Sequence, residues 1–151
     1  MHISAKVEYA VRALLVLTAA DGGPLSGVAL SQAQELPPKF LDGILAELRR
    51  SHIIVSQRGA EGGYRLARDA STITLADIIR AIDGPLAAVR GEHPEVTSYQ
   101  GAAENLQDVW IAVRASLRSV LETTTLADVV AGKLPTNVRK LVADPDSWVS
   151  R

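Results

Sequence analysis

Apolar residues recur at helical spacing near the start of the chain, where Val7, Ala10, Val11, Leu14, Leu15 and Leu17 form a face broad enough to be buried on more than one side. Ser4 stands where a helix needs an N-cap, and Asp21-Gly22-Gly23-Pro24 stops the run. Ser26 caps a second, short helix reaching about Gln34, with Val28, Leu30 and Ala33 expected in the core. After the turn Glu35-Leu36-Pro37, Pro38 suits the first turn of a third helix, where a missing N–H leaves nothing unpaired. Leu41, Ile44, Leu45 and Leu48 repeat along one face of that helix, and Lys39, Asp42, Gly43, Ala46 and Glu47 occupy the other. The β-branched run Ile53-Ile54-Val55 then signals a strand, and Tyr64-Arg65-Leu66 resumes the extended pattern beyond the glycine-rich tip Gly59-Ala60-Glu61-Gly62-Gly63. Two helices joined by about three residues, the second followed by a strand pair, form a winged helix-turn-helix.

Thr74-Leu75-Ala76-Asp77 opens a fourth helix with Ile78, Ile79 and Ile82 on its buried side, and Asp83-Gly84-Pro85 ends it. The same phrase recurs at Thr125-Leu126-Ala127-Asp128, followed by Val129 and Val130, and is read as reuse of one helix-start signal rather than a repeat fold. A Gly/Pro/Glu-rich loop at 84–101 leads to a long helix expected from about Ala102 to Glu122. On it Leu106, Val109, Trp110, Val113, Leu117, Val120 and Leu121 follow the alternating three-and-four spacing of a coiled-coil seam for about two heptads. A rod of about 30 Å exceeds what a small winged-helix core needs, so its simplest use is a dimer interface; packing on its own domain is the competing use. Residues 133–151, with Pro135, Pro145 and Trp148, are expected to be irregular, Trp148 being either pinned to a partner subunit or frayed. The expected fold is mainly α with a small β-wing. It divides into a winged helix-turn-helix domain (1–83), a connecting loop (84–101), a dimerisation helix with a short following helix (102–132) and a tail (133–151).

Composition narrows the function. Hydrophobic residues make up 47% and aromatics 4%, so the core must be built from Ala, Leu, Val and Ile. No apolar run approaches the roughly 18 residues of a membrane span and the N-terminus lacks a signal-peptide design, so the chain is expected to be soluble and cytoplasmic with no membrane partner. The absence of cysteine excludes disulfides, zinc fingers and cysteine-ligated iron–sulfur clusters. With a net charge of −1, any basic surface must be local. Residues 35–68 hold Lys39, Arg49, Arg50, Arg58, Arg65 and Arg68 against Glu35, Asp42, Glu47 and Glu61, whereas 84–110 hold Arg90 against Glu92, Glu95, Glu104 and Asp108. That segregation favours double-stranded DNA as partner, with the third helix in a major groove and the wing, bearing Arg58, over the adjacent backbone or minor groove. Lys6, beside Ser4 and the first helical amides, suits a phosphate or is simply solvated.

No enzyme is expected: a Cys nucleophile is lacking, His2, His52 and His93 lie in unrelated contexts, and the glycines of the wing tip are followed by a strand rather than a helix. His93, between Glu92 and Glu95, reads as part of a solvated loop rather than a metal site, and no cofactor is expected. The alternative class, a winged helix used for protein–protein contact, needs an apolar outward face, which Lys39, Asp42 and Glu47 deny.

Ile3-Ser4-Ala5-Lys6 leading to Tyr9-Ala10-Val11, then Pro37-Pro38-Lys39-Phe40-Leu41, the wing Arg58 to Leu66, and Asp83-Gly84-Pro85 resemble the winged-helix regulators of the IscR, NsrR and CymR type. The resemblance implies a homodimeric bacterial transcription factor, usually a repressor, bound to a near-palindromic operator. It implies that Lys39, Phe40 and Asp42 face the major groove and that Arg58 enters or borders the minor groove, with Ser4, Lys6, Gly43, Arg49 and Gly59 completing the expected DNA surface. Many members hold an iron–sulfur cluster on three cysteines before the long helix, sometimes with a ligand from the first helix. Here the stretch from Arg90 to Gln107 has no cysteine and Glu8 stands alone, so cluster-based sensing does not carry over. A small molecule between the winged domain and the long helix, near Trp110, a protein partner, or no effector at all are the remaining options. Glu35 and His52 stand where glycine would be easy; a left-handed backbone at either costs on the order of 1 kcal/mol, as does Gly43 in mid-helix relative to alanine.

Overall fold

The computed structural model describes residues 2–150. Met1 and Arg151, at the ends of the expected winged domain and tail, lie outside the described residues. Helices α1 (Ala5–Ala19), α2 (Gly27–Gln34) and α3 (Pro38–Arg50) are followed by the antiparallel strands β1 (Ile54–Gln57) and β2 (Gly63–Leu66) and by α4 (Leu75–Ile82). Ser4 and Ser26 cap α1 and α2, each hydroxyl accepting from the backbone N–H three residues on, at 3.1 Å. Leu14, Leu17, Leu30, Leu41, Ile44, Leu45, Leu48, Ile54 and Ile78 form one aliphatic core. The four apolar positions of α3 are each at most 1% exposed, as the periodicity requires.

Helix α2 departs from the sequence expectation. Leu30 is fully buried, but Val28 is 65% exposed and Ala33 also faces solvent. This eight-residue helix touches α1 and α3 along one narrow stripe, and the second buried position on it is Ser31. Ser31 earns its burial by hydrogen bonding: its hydroxyl donates to the Leu36 carbonyl at 2.6 Å and its own carbonyl accepts from the Leu36 N–H at 2.9 Å. Those bonds close the turn between α2 and α3, in which Glu35 is left-handed with φ 52°. His52 (φ 56°) is left-handed where α3 gives way to β1.

The wing runs in register from Ile54 opposite Leu66 to Gln57 opposite Gly63. A third edge comes from the segment before α2, where Leu25 exchanges two backbone hydrogen bonds with Tyr64, of 2.9 and 2.7 Å. Gly63 makes that approach possible. It has φ 148°, and a Cβ there would stand 2.4 Å from the Leu25 oxygen.

The two Thr-Leu-Ala-Asp phrases lie side by side. Thr74 and Thr125 form an antiparallel bridge, Leu75 N–H donating to Thr124 and Leu126 N–H to Ile73, both at 3.0 Å. Each phrase completes a capping box, starting α4 and α6 (Leu126–Ala131). In the second box the Thr125 backbone N–H, and then its hydroxyl, hold the Asp128 carboxyl below its ordinary range. Leu126 is fully buried with Leu14 and Ile44, so α6 packs into the winged-helix core although the sequence groups it with the preceding helix.

That preceding helix, α5 (Leu106–Leu121), is about 24 Å long and starts later than expected. Gly101 (φ 61°) and a 3-10 turn over Gly101–Ala103 occupy its anticipated first turn. The expectation of an irregular tail is overturned. Residues beyond 133 form α7 (Thr136–Ala143) and a 3-10 turn (Pro145–Trp148). Both prolines sit at element starts, where they are compatible with helices, and Asn137 ties α7 to α5 through the Ser119 carbonyl at 2.5 Å. Trp148 is 75% exposed, its indole N–H donating to Val142 at 2.8 Å. Among the described residues no helix is long and apolar enough to cross a membrane.

Gly59 and Gly63 both have positive φ, but only Gly63 is hemmed in. Gly63→Ala is therefore expected to cost at least about 2 kcal/mol in denaturant unfolding and Gly59→Ala about 1 kcal/mol, the difference reporting the Leu25 contact.

Candidate nucleic-acid interface

Burial of Leu41, Ile44, Leu45 and Leu48 turns the rest of α3 outward. Lys39, Phe40, Asp42, Gly43, Arg49 and Arg50 are exposed, while Ala46 and Glu47, expected on the same face, are half-buried. Phe40 is 48% exposed, with its ring edge-on to Tyr9 of α1 at 5.7 Å between centroids. Gly43 forms a dent in this surface, since a Cβ there would meet nothing within 4 Å. Asp42 lies beside the start of α2: a Cβ on Gly27 would stand 3.8 Å from its Oδ1.

Lys6 is not an isolated cation. Its Nζ lies 2.6 Å from Glu47 Oε1, and Arg50 reaches the same oxygen at 3.9 Å. The pair neutralises the Glu47 carboxylate on α3 and draws the N-terminus of α1 to the edge of the outward face. The Ser4 hydroxyl is committed to its cap. Arg12, which sequence reasoning missed, stacks over Tyr9 at 6.0 Å and donates to Gln34, through Nε to Oε1 at 3.1 Å and through Nη2 to the backbone carbonyl. It thus holds the end of α2 against α1. The only signal for it was a cation set within a broad apolar helical face. Glu8 pairs with Arg12 at 3.5 Å. At the wing tip Arg58 and Gly59 are exposed, and Gly62 N–H donates to the Gly59 carbonyl at 3.0 Å to close the turn.

On α5 no residue is fully buried. Val109 and Val113 are 51% and 41% exposed, and Leu106, Trp110, Leu117, Val120 and Leu121 are half-buried. Val109, Val113, Leu117, Val120 and Leu121, with Ile3 and Ala112, line an open apolar groove of about 560 Å³. The preceding loop is pinned. Pro94 and Thr97 are buried, and Gln107 Nε2 donates to the carbonyls of Thr97 (2.5 Å), Glu95 (3.2 Å) and Pro94 (3.3 Å). Arg114 pairs with Glu95, whose carboxyl is held below its ordinary range by its own backbone N–H and then by Arg114.

Residues 3–132 match the family Rrf2, described as an iron-dependent transcriptional regulator. The chain is 52% identical over 145 residues to Rv1287 of Mycobacterium tuberculosis H37Rv, a candidate helix-turn-helix-type transcriptional regulator, spanning 95% of this chain and 90% of that protein. It is 33% identical over 132 residues to the regulator CymR of Bacillus subtilis, spanning 87% of this chain and 91% of CymR. The solved structure of that protein, the global cysteine regulator of B. subtilis, superposes with a TM-score of 0.74 over 87% of this chain and 98% of its own, at 32% identity. T. potens IscR superposes with a TM-score of 0.70 over 100% of this chain and 93% of its own, at 27% identity. The iron in the family's description finds no fitting donor set here. The sequence contains no thiolate, and among the described residues no group of three or more His, Asp or Glu side chains converges as metal ligands would. The winged helix-turn-helix, its polar third helix and its glycine-tipped wing are those of a DNA-binding regulator rather than an enzyme, and the chain belongs to the Rrf2 family of transcriptional regulators.

Proposed function

We propose that the protein is a homodimeric transcriptional repressor that reads a near-palindromic operator with two copies of α3 and works without an iron–sulfur cluster. The observation that carries this is the two-sidedness of α3. Its aliphatic face is wholly buried, so Lys39, Phe40, Asp42, Gly43 and Arg49 are presented outward on a rigid element. Lys39 reaches a phosphate or a guanine edge, Asp42 accepts from a cytosine amino group, and the dent at Gly43 lets the duplex backbone come close. Arg58 and Gly59 carry the wing over the neighbouring minor groove, and Lys6, with the Ser4-capped start of α1, flanks the site. The winged domain comprises the chain to residue 83 together with α6, and 84–101 connects it to α5. The apolar seam Leu106, Val109, Trp110, Val113, Leu117, Val120 and Leu121 packs against its copy in a second chain. The half-exposed valines of that seam support the dimer.

Leu117→Glu is expected to convert the protein to monomers in analytical ultracentrifugation and to weaken binding to an operator selected from genomic fragments by at least a hundredfold, because two half-sites no longer act together. A variant that stays dimeric argues against the seam. Arg58→Ala is expected to reduce the slope of log affinity against log salt by about one unit, as loss of one phosphate-neutralising cation requires. Asp42→Ala should relax base preference more than total affinity; equal losses on specific and random duplexes would contradict its reading role. Lys6→Ala leaves the Glu47 carboxylate without its closest cation, so it is expected to weaken DNA binding more than Lys6→Ala combined with Glu47→Gln does, an ordering measured by fluorescence anisotropy.

A further inference from the structure

Between α4 and α5 lies an open recess of about 410 Å³, within the size range of small-molecule sites. Arg80 enters it from α4, Arg114 and Arg118 from α5, and His93 and Glu95 from the loop, over an apolar floor at Leu86, which is 4% exposed. Three guanidiniums therefore share one recess whose lining includes a single carboxylate, Glu95. Glu95 pairs with Arg114, and Glu122 with Arg80 and Arg118. The pairing is asymmetric. The Arg114 side chain is 17% exposed, whereas its partner Glu95 is 51% exposed. A largely buried guanidinium paired through one nitrogen with one oxygen of an exposed carboxylate is suited to exchanging that carboxylate for a ligand oxyanion, which can engage it in a planar, two-pronged geometry.

We propose that this recess is an effector site for a small anion carrying at least two carboxylate or phosphate groups, one replacing Glu95 at Arg114 and another reaching Arg80. The inference rests on the regulator reading and names its input. Position makes the site consequential: α4 packs on α1 and α3, and α5 carries the seam proposed for the dimer. An anion spanning Arg80 and Arg114 bridges the DNA-reading and pairing parts of the chain, and it changes DNA affinity to the extent that it favours one relative orientation of them.

The test is calorimetric titration of the full-length protein with citrate and, separately, with pyrophosphate at fixed ionic strength, alongside operator binding by anisotropy with and without each anion. At least one anion is expected to bind one per chain. Arg114→Gln and Arg80→Gln should each weaken that binding at least tenfold, while Glu95→Gln, which removes the competitor, should strengthen it several-fold. The bound anion should shift operator affinity at least threefold, and the shift should vanish in Arg114→Gln. Citrate alone binding assigns a polycarboxylate and pyrophosphate alone a phosphate compound. No heat from either anion, equal binding by the Arg114 variant, weaker binding by Glu95→Gln, or binding that leaves operator affinity unchanged would each overturn the proposal. Thermal melts confirm that the variants are folded. Failure to bind any operator both without and with each anion would count against the regulator reading, whereas the heats of anion binding, measured without DNA, test the anion site by itself.

Discussion

The contact on which the rest of the structure depends is the burial of one face of α3 against α1. Leu41, Ile44, Leu45 and Leu48 lose essentially all exposure there. Apolar burial of that kind contributes roughly 1.5–3 kcal/mol per side chain, far more than any surface ion pair. It also fixes the rotation of α3 about its axis. Once the four aliphatic side chains point inward, the rotational setting of Lys39, Asp42 and Gly43 is no longer free. Arg12 on Gln34 and the Ser31–Leu36 bonds then fix where α3 begins, and Lys6 on Glu47 steadies its second half.

Much of this was legible in the sequence because it is local. Helical period, the Ser4, Ser26, Thr74 and Thr125 caps, and the glycine-rich tip each act within a few residues, and the structure carries all of them. What escaped was set by partners distant along the chain. Val28 and Ala33 have apolar side chains, but α2 had room for one stripe and the Leu36 turn claimed Ser31 for it. Nothing near Leu25 signals that Tyr64 will pair with it, and nothing near Lys6 reveals Glu47. The tail is helical where irregularity was expected because Pro135 and Pro145 stand at element starts, where a missing N–H leaves nothing unpaired. Of the candidate site, the residues of α3 and the wing could be named from pattern and resemblance, whereas the engagement of Lys6 and the role of Arg12 required the packing.

The resemblance implies cluster cysteines in the loop before α5 for many members; this chain has Gln107, which reaches three carbonyls of the 94–97 turn, and Arg114, which takes Glu95. Neutral amide donors and an ion pair suffice to organise the backbone around buried Pro94 and Thr97, so order in this region does not require thiolates.

The adjacency of the two threonine caps has a mechanical corollary. The chain leaves the winged core after α4 and is stitched back to the start of the same helix at Thr124 and Leu126, so α5 is a handle fastened at both ends rather than a terminal arm. A tug on such a handle is felt at the beginning of α4 within a single residue of backbone bonding, and two handles clasped between subunits would leave neither winged domain able to turn without the other.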